Sequence, residues 1–392
     1  MVALALTVSA CSTADLAEEA TTPINSEVAP ANGERIPGQY IVVLKNDAVA
    51  GKTVRDLVDS FETVPGIDMN HKYFNSISGF SGELSDEAYS ILSNNPAVDY
   101  IEEDRWVSLP PFTSQGLCDR KPNHPNCTDG GGGDDGDGTS TQSLPWGIDR
   151  VGGAADGSSA GKAWVLDSGI DLDHPDLNVD IGLSQSFLGG KQADNPDDQN
   201  GHGTHVAGTI AAINNSEGVV GVAAGATVVS VRVLDRRGSG SYSGVIAGIN
   251  YVGATGSNGD VANMSLGGGF SQAVNDAVSG ASGSVKFFLA AGNESQDTNN
   301  VSPGSANGPN IWTICATTNG DGWASYSNYG SPVDYCEPGS GIESTWKNGG
   351  YNTISGTSMA TPHAAGIALL GPINNEGSVT GPDGGSYTIG VR

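Results

Sequence analysis

The sequence predicts an α/β protein whose main part is a mostly parallel sheet covered by helices on both faces, preceded by a small α+β domain of ferredoxin-like order. Three observations carry this reading. From Leu144 onward, apolar strand-like runs alternate with helical runs. Between Gln39 and Arg105, shorter runs follow one another in the order β-α-β-β-α-β. Between the two regions periodicity fails and a Gly- and Asp-rich stretch intervenes. A length of 392 residues suits one large domain with a smaller companion.

Taken in order, residues 1–11 open with an apolar run too short to span a bilayer, with no basic residue before it, and read as an export segment. Ser9 and Ala10 before Cys11 leave two readings open: a lipoprotein box that would acylate Cys11, or an ordinary signal. Only lipid on Cys11 would give the chain a membrane partner. Residues 12–37, rich in Ala, Glu, Thr and Pro, read as a disordered tether. The small domain spans 38–109. Residues 40–44 form an apolar strand, and Val54, Leu57, Val58 and Phe61 have helical spacing. Residues 72–84 alternate through Tyr73, Ile77 and Phe80 as a strand or hairpin. Ser85, followed by Asp86 and Glu87, caps a helix reaching Leu92, and residues 98–105 form the closing strand. Residues 110–143 form the linker: Pro110-Pro111, a short loop between Cys118 and Cys127, and the Gly/Asp run 130–138. That run fits no calcium-binding repeat, so it reads as a linker.

The large domain spans 144–392. Strands are expected at 163–166, 227–234, 261–266, 285–290, 311–316 and 333–335, with helices at 202–213, 243–252, 272–279 and 358–370. In such sheets functional residues gather at the carboxyl ends of strands. Asp167 directly follows the first strand, Asn293 follows the strand at 285–290, and His202 opens a helix.

The net charge is −27, with an acidic balance on both sides of the linker and no basic stripe, which excludes a nucleic-acid partner. Five cysteines fit two disulfides, Cys118 with Cys127 and Cys315 with Cys336, leaving Cys11 over, as expected of an exported chain. No C-x-x-C pair suggests zinc.

Three motifs carry chemistry: Val165-Leu166-Asp167-Ser168-Gly169, Asn200-Gly201-His202-Gly203-Thr204-His205 and Gly356-Thr357-Ser358-Met359-Ala360-Thr361-Pro362-His363. Alone, Ser358 reads as a helix N-cap. With Asp167 and His202 upstream, it completes Asp, His and Ser in one of the chain orders known for a nucleophilic triad. A serine hydroxyl needs a base within reach, and the base needs a carboxylate to fix its tautomer. Asn293 offers a side-chain amide for the developing oxyanion, beside the Ser358 N–H. His205 lacks the Glu of a zinc H-E-x-x-H site and reads as a packed helix residue, as do His174 and His363 in their segments. A G-x-S-x-G elbow fails at Ala360.

These motifs, in this order and with the asparagine, resemble the subtilisin-type serine peptidases, most closely the proteinase K group, over residues 144–370. The resemblance implies a doubly wound sheet, endopeptidase activity without a catalytic cofactor, Asp167 as orienting acid, His202 as base then acid, Ser358 as nucleophile and Asn293 as oxyanion donor. It implies substrate edges at Ser239, Gly240 and Tyr242 and at Ser265, Leu266 and Gly267. The primary pocket is completed by Ala290, Ala291, Gly292 and Gly304. No charge is expected among these pocket residues, so aromatic or large aliphatic residues should be preferred before the cut. A structural calcium would lie on the carbonyls of Pro309 and Ile311 with the Asp334 carboxylate. The small domain resembles the family's inhibitory propeptide. The linker is longer than the family's, and the chain stops sooner after the nucleophile, so the last family helix is expected to be missing. Partners are then protein or peptide substrates and the chain's own propeptide, with the enzyme a monomer, secreted or held at an outer membrane. The competing reading is a catalytically silent secreted binding protein on the same fold.

Overall fold

The computed structural model describes residues 30–45, 53–109 and 142–392. The export segment with Cys11, the Cys118/Cys127 loop and the Gly/Asp run lie outside these residues.

The small domain contains β1 (Arg35–Leu44), α1 (Val54–Phe61), β2 (Ile67–Tyr73), β3 (Gly79–Leu84), α2 (Asp86–Ser93) and β4 (Val98–Ser108). Thr53 starts α1 through a capping box: its hydroxyl accepts from the Asp56 N–H, and the Asp56 carboxylate accepts from the Thr53 N–H. The strands are antiparallel in the order β2-β3-β1-β4. Alternation along β1 turns Val42 and Leu44 toward Val58, Phe61 and Leu92 of the two helices. It turns Ile41 and Val43 the other way, into the core of the large domain. Residues 35–37, expected in the tether, belong to β1. Just before them, Gly33 N donates to Trp106 O and Trp106 N to Glu34 O, each at 2.8 Å.

In the large domain the relevant elements are β5 (Ala163–Asp167), α3 (His202–Ala211), β6 (Thr227–Arg232), β7 (Ser239–Ser241), α4 (Tyr242–Thr255), β8 (Val261–Met264), α5 (Gln272–Ala281), β9 (Lys286–Ala290), β10 (Ile311–Thr317), β11 (Val333–Pro338) and α6 (Thr357–Leu370). A terminal hairpin follows, β12 (Asn374–Thr380) and β13 (Ser386–Val391). The central order is β12-β13-β11-β10-β9-β8-β5-β6, with Asn178–Val179 beyond β6. All of these pairings are parallel except β12 with β13. Ala163 and Val165 of β5 pack with Val206 and Ile210 of α3 and Ala364 of α6. Trp164 and Leu166 pack on the opposite face with Ile246 of α4 and Val274 of α5. Period-two alternation within one buried strand thus supplies both cores, and the sheet is covered on both faces. Cys315 and Cys336 are register partners on β10 and β11 and form a disulfide.

The terminal hairpin is absent from the sequence expectation, which ends its elements at Leu370. Its signal is weak: β12 is almost wholly polar, and only the buried Tyr387 and Ile389 alternate along β13. Pairing of Cys336 with Ile389 places Glu337 of β11 against Gly390. Glu337 is fully buried, and neither carboxyl oxygen has a hydrogen-bond partner among the described residues. Burial pushes its carboxyl well above the usual carboxylate range, with Arg150 opposing weakly. A carboxyl kept neutral only in the folded state costs no stability at low pH. It costs progressively more as pH rises above the unfolded value, where only the unfolded chain ionises. Glu337→Gln is therefore expected to raise Tm little at pH 4 and more at pH 8. Melting curves in a Ser358→Ala background, which prevents self-digestion, check this. An equal effect at both pH values would contradict the neutral carboxyl.

Candidate active site

Asp167 ends β5 and His202 opens α3, so strand and helix termini set their positions. Gly201 before the histidine has φ +114°, and a Cβ there would strike the Trp346 ring, so only glycine allows this entry. His202 Nδ1 lies 2.8 and 3.0 Å from the two Asp167 oxygens, and both residues are buried. Asp167 Oδ1 also accepts from the Ser168 N–H at 2.7 Å. A nitrogen facing a carboxylate holds its proton, which leaves Nε2 as the basic atom.

Ser358 lies in the first turn of α6, which packs against α3. Pro362 within this helix has no N–H to give the carbonyl four residues back, and that carbonyl belongs to Ser358. The Ser265 hydroxyl takes it at 2.7 Å, while the Ser358 hydroxyl donates to the Ser265 carbonyl at 3.0 Å. Asn263 Nδ2 in turn donates to Ser265 Oγ at 2.8 Å. The serine is thus tied to the end of β8 by a reciprocal pair of bonds.

The Asn293 amide is oriented by Thr357. Its Oδ1 accepts from the Thr357 N–H at 2.8 Å and the Thr357 hydroxyl at 3.1 Å, so Nδ2 must face away from them. A Cβ placed on Gly356 would lie 3.6 Å from both Asn293 Nδ2 and Ser358 N. With Asn293 Oδ1 at 3.7 Å but held by Thr357, the Asn293 amide and the Ser358 N–H border one small space beside the serine, as an oxyanion site requires.

A cavity beside these donors is lined by Ser265, Leu266, Gly267, Ala290, Gly292, Gly304, Thr357, Ser358 and Asn293. Ala291 instead packs in the cluster behind it, with Cys315 and Cys336. The expectation of an uncharged pocket needs correction: Glu294 also lines the cavity. Asn328 Nδ2 donates to Glu294 Oε2 at 2.8 Å and the Glu294 N–H donates to Asn328 Oδ1, which turns the exposed side chain toward the mouth. Sequence order places Glu294 beside Asn293, but its direction is set by Asn328, more than thirty residues away in the chain.

The small domain enters this site. The end of β4 pairs antiparallel with β7, Ser108 opposite Ser239 and Val107 opposite Gly240. Leu109 N donates to Gly238 O at 2.8 Å, and Leu109 lines the cavity. Val107 is buried in the same cluster as Tyr242, whose hydroxyl donates to Gly269 O. On the other side, Asn32 bridges tail and wall: Oδ1 accepts from Ser108 N at 3.3 Å, and Nδ2 donates to Gly267 O at 3.2 Å. Two carboxylates of β4 meet helix N-termini. Asp104 accepts from the Ser243 N–H at 3.1 Å and the Ser243 hydroxyl at 2.5 Å, in the first turn of α4. Glu102 accepts from the Ala273 N–H at 3.1 Å, in the first turn of α5. Burial pushes Asp104 up, against the lowering effect of the Ser243 bonds. Neither Asp104 nor Glu102 is legible as a docking residue, since in sequence they are ordinary strand charges.

The three other histidines of the large domain bond to backbone. His205 Nε2 contacts Ile342 O, His363 Nδ1 contacts Met359 O and His174 Nε2 contacts Gly350 O. Burial lowers His205 to about 3 and His363 to about 4, so both stay neutral. The expected calcium ligands lie at the edge between β10 and β11. Asp334 falls at the register shift between these strands, exposed, and its Oδ2 accepts from Thr313 N at 2.8 Å. One carboxylate oxygen is thus committed, and the other has no hydrogen-bond partner among the described residues. Pro309 and Ile311 flank Asn310, whose φ of +62° turns the chain between them. An oxygen-only donor set with one free carboxylate oxygen fits calcium. Among the described residues no group of three His, Cys, Asp or Glu is placed to hold a metal.

Comparison with known proteins agrees with this site. Residues 163–371 match the Subtilase family, and residues 39–110 match Peptidase inhibitor I9. The chain is 40% identical to the subtilisin-like serine protease AsES of Sarocladium strictum over 76% of this chain and 71% of that protein. It is 34% identical to proteinase R of Parengyodontium album over 88% and 82%. Identity to alkaline serine exoprotease A of Vibrio alginolyticus is 40% over 89% of this chain, which spans 63% of that relative's length. The structure of a cold-adapted subtilisin-like serine proteinase is similar, with TM-score 0.51 and 45% identity over 57% of this chain and 83% of that one. With a paired Asp and His, a serine at a helix start, and an inhibitor-like strand lying in the cleft, the chain belongs to the subtilase family of serine proteases.

Proposed function

We propose that this chain is an extracellular endopeptidase held as a zymogen by its own N-terminal domain. Ser358 attacks the peptide carbonyl, and His202 takes its proton and returns it to the leaving amine. Asp167 holds the imidazole, while Asn293 Nδ2 and the Ser358 N–H receive the oxyanion. The observation that carries the reading is the seating of Trp106–Leu109 as an added strand on β7, beside Ser358. Main-chain pairing of this kind reads a peptide by its backbone and leaves discrimination to the pockets. An extracellular site of action agrees with the buried disulfide and with relatives named as an exoprotease and a cuticle-degrading protease. The silent-binder alternative finds no support, since these relatives are named proteases.

The pocket favours large apolar residues before the cut, and Glu294 at its mouth biases the remainder against acidic residues. Glu294→Gln is expected to raise kcat/KM for substrates with Glu before the cut by about two- to fivefold, the scale of one exposed ion pair. Aromatic substrates should be unaffected. Profiling both enzymes on a peptide library tests this. Strong preference for Arg or Lys in the wild type would overturn the apolar assignment, and an unchanged acidic response in the variant would remove Glu294 from the pocket.

Pro309, Ile311 and Asp334 would hold a calcium ion that ties the start of β10 to β11. Stability should then rise with calcium concentration by mass action. Titration of Tm with calcium is expected to show a rise that Asp334→Asn reduces, whereas identical curves would reject the site.

A further inference from the structure

A second buried carboxylate, Asp198, lies beside the Asp167–His202 pair. Asp198 is 5% exposed and lies between the Asp167 loop and the first turn of α3. Its Oδ1 accepts from Ser168 Oγ at 3.0 Å, Asn200 N at 2.8 Å and Gly201 N at 2.9 Å. Its Oδ2 accepts from Thr204 N at 3.0 Å and Thr204 Oγ1 at 2.7 Å. Gly201 precedes α3 and has no side chain to cap it, so Asp198 supplies the cap and places its charge at the positive end of the helix. Ser168 Oγ also accepts from Gly203 N at 3.1 Å. Asp167 and His202 therefore each have a chain neighbour bonded to one carboxylate.

The loop that carries Asp198 is anchored in turn to the sheet. Arg232 is fully buried and is the register partner of Asp167 across β5 and β6. Its Nη1 donates to Asn195 O at 3.1 Å and Asp197 O at 2.9 Å, and its Nη2 to Gln192 Oε1 at 2.8 Å and Gln199 Oε1 at 3.3 Å. Both ends of the Asp198 bridge thus lead back to the strand end that bears Asp167.

We propose that Asp198 is the positioning residue of the Asp167–His202 pair, fixing the first turn of α3 against the Asp167 loop so that His202 Nδ1 stays on the carboxylate. The inference rests on the assignment of Asp167, His202 and Ser358 to the reaction. Displacements of the order of 1 Å in such a pair cost about 10²-fold in rate. Both Asp198 oxygens face donors, so in Asp198→Asn either amide orientation turns an NH₂ toward another N–H or O–H.

The test uses the full chain after self-maturation, with active sites counted by a serine-directed phosphonate. Asp198→Asn is expected to lower kcat per titrated site about 10- to 100-fold with KM within about twofold. Its self-maturation should slow in parallel, and the low-field proton resonance of the His202 Nδ1–H bond should shift or broaden. Ser168→Ala, which removes the bonds of Ser168 Oγ to Asp198 and to Gly203 but leaves Asp198 bonded to Asn200, Gly201 and Thr204, should show the same pattern more weakly. It decides the matter if Asp198→Asn does not fold. Unchanged kcat with an unchanged resonance, or a loss confined to Tm or KM, overturns the proposal. Ser358→Ala, freed of its N-terminal domain by an unrelated protease that is then removed, separates the two levels. Full turnover in Asp198→Asn with an inactive Ser358→Ala rejects Asp198 alone, whereas turnover in Ser358→Ala rejects the underlying assignment.

Discussion

Ser358→Ala is expected to abolish peptide hydrolysis and release of the N-terminal domain while leaving the fold intact. In the proposed mechanism the Ser358 hydroxyl is the nucleophile, set beside the Asn293 amide, whereas the Ser265 hydroxyl is bonded to the Ser358 carbonyl and the Thr357 hydroxyl to Asn293. Without it the imidazole of His202 has nothing to activate except water. The loss in kcat should be about 10⁶-fold, a magnitude taken from removal of the corresponding serine in a subtilisin rather than derived from the geometry. The side chain donates to Ser265 O, and the shorter bond between Ser265 Oγ and Ser358 O does not involve it. Stability should therefore change by no more than about 1 kcal/mol. Intact mass after prolonged incubation, read with a melting curve, checks both halves. A mutant that still shed residues before the large domain in purified form would remove Ser358 from its role.

The same contrast, between what the reacting residues need and what holds them, explains how much of this molecule is legible in its sequence. The buried parallel strands announce themselves as apolar runs, and Asp167, His202 and Ser358 sit in short glycine-rich motifs because close approach demands small neighbours. Local chemistry also fixes the helix starts, as at Thr53 and Ser85, where the capping side chain lies three residues from the N–H it bonds. What the sequence hides is long-range. Glu294 turns into the pocket because Asn328 holds it. Asn32 reaches Gly267, 235 residues away in the chain, and Glu102 reaches Ala273. Asp198 looks like one aspartate in an acidic loop until its five donors are assembled around it. Strands β12 and β13 are missed because a sheet edge accepts polar residues that carry no core pattern.

Asn293→Ala should lower kcat by about 10²–10³ with little change in KM, a range known from loss of the equivalent donor in a subtilisin. The reason lies in timing. In the ground state the substrate carbonyl is a weak acceptor, so Nδ2 contributes little to binding. In the proposed role, a donor already fixed by Thr357 would stabilise the oxygen as it gains charge, without reorganising. Alanine also removes the acceptor for the Thr357 N–H, a helix N-terminal donor, so some stability should be lost, on the order of 1 kcal/mol. Asn293→Asp separates the two effects. It keeps an oxygen for Thr357 and so should retain stability, but it puts a second negative oxygen where the oxyanion forms, and kcat should fall further than in alanine. Steady-state kinetics on one peptide, paired with melting curves, distinguishes the cases. If alanine raised KM at constant kcat, Asn293 would be a ground-state binder. If aspartate restored turnover, the residue would serve only to hold the first turn of α6.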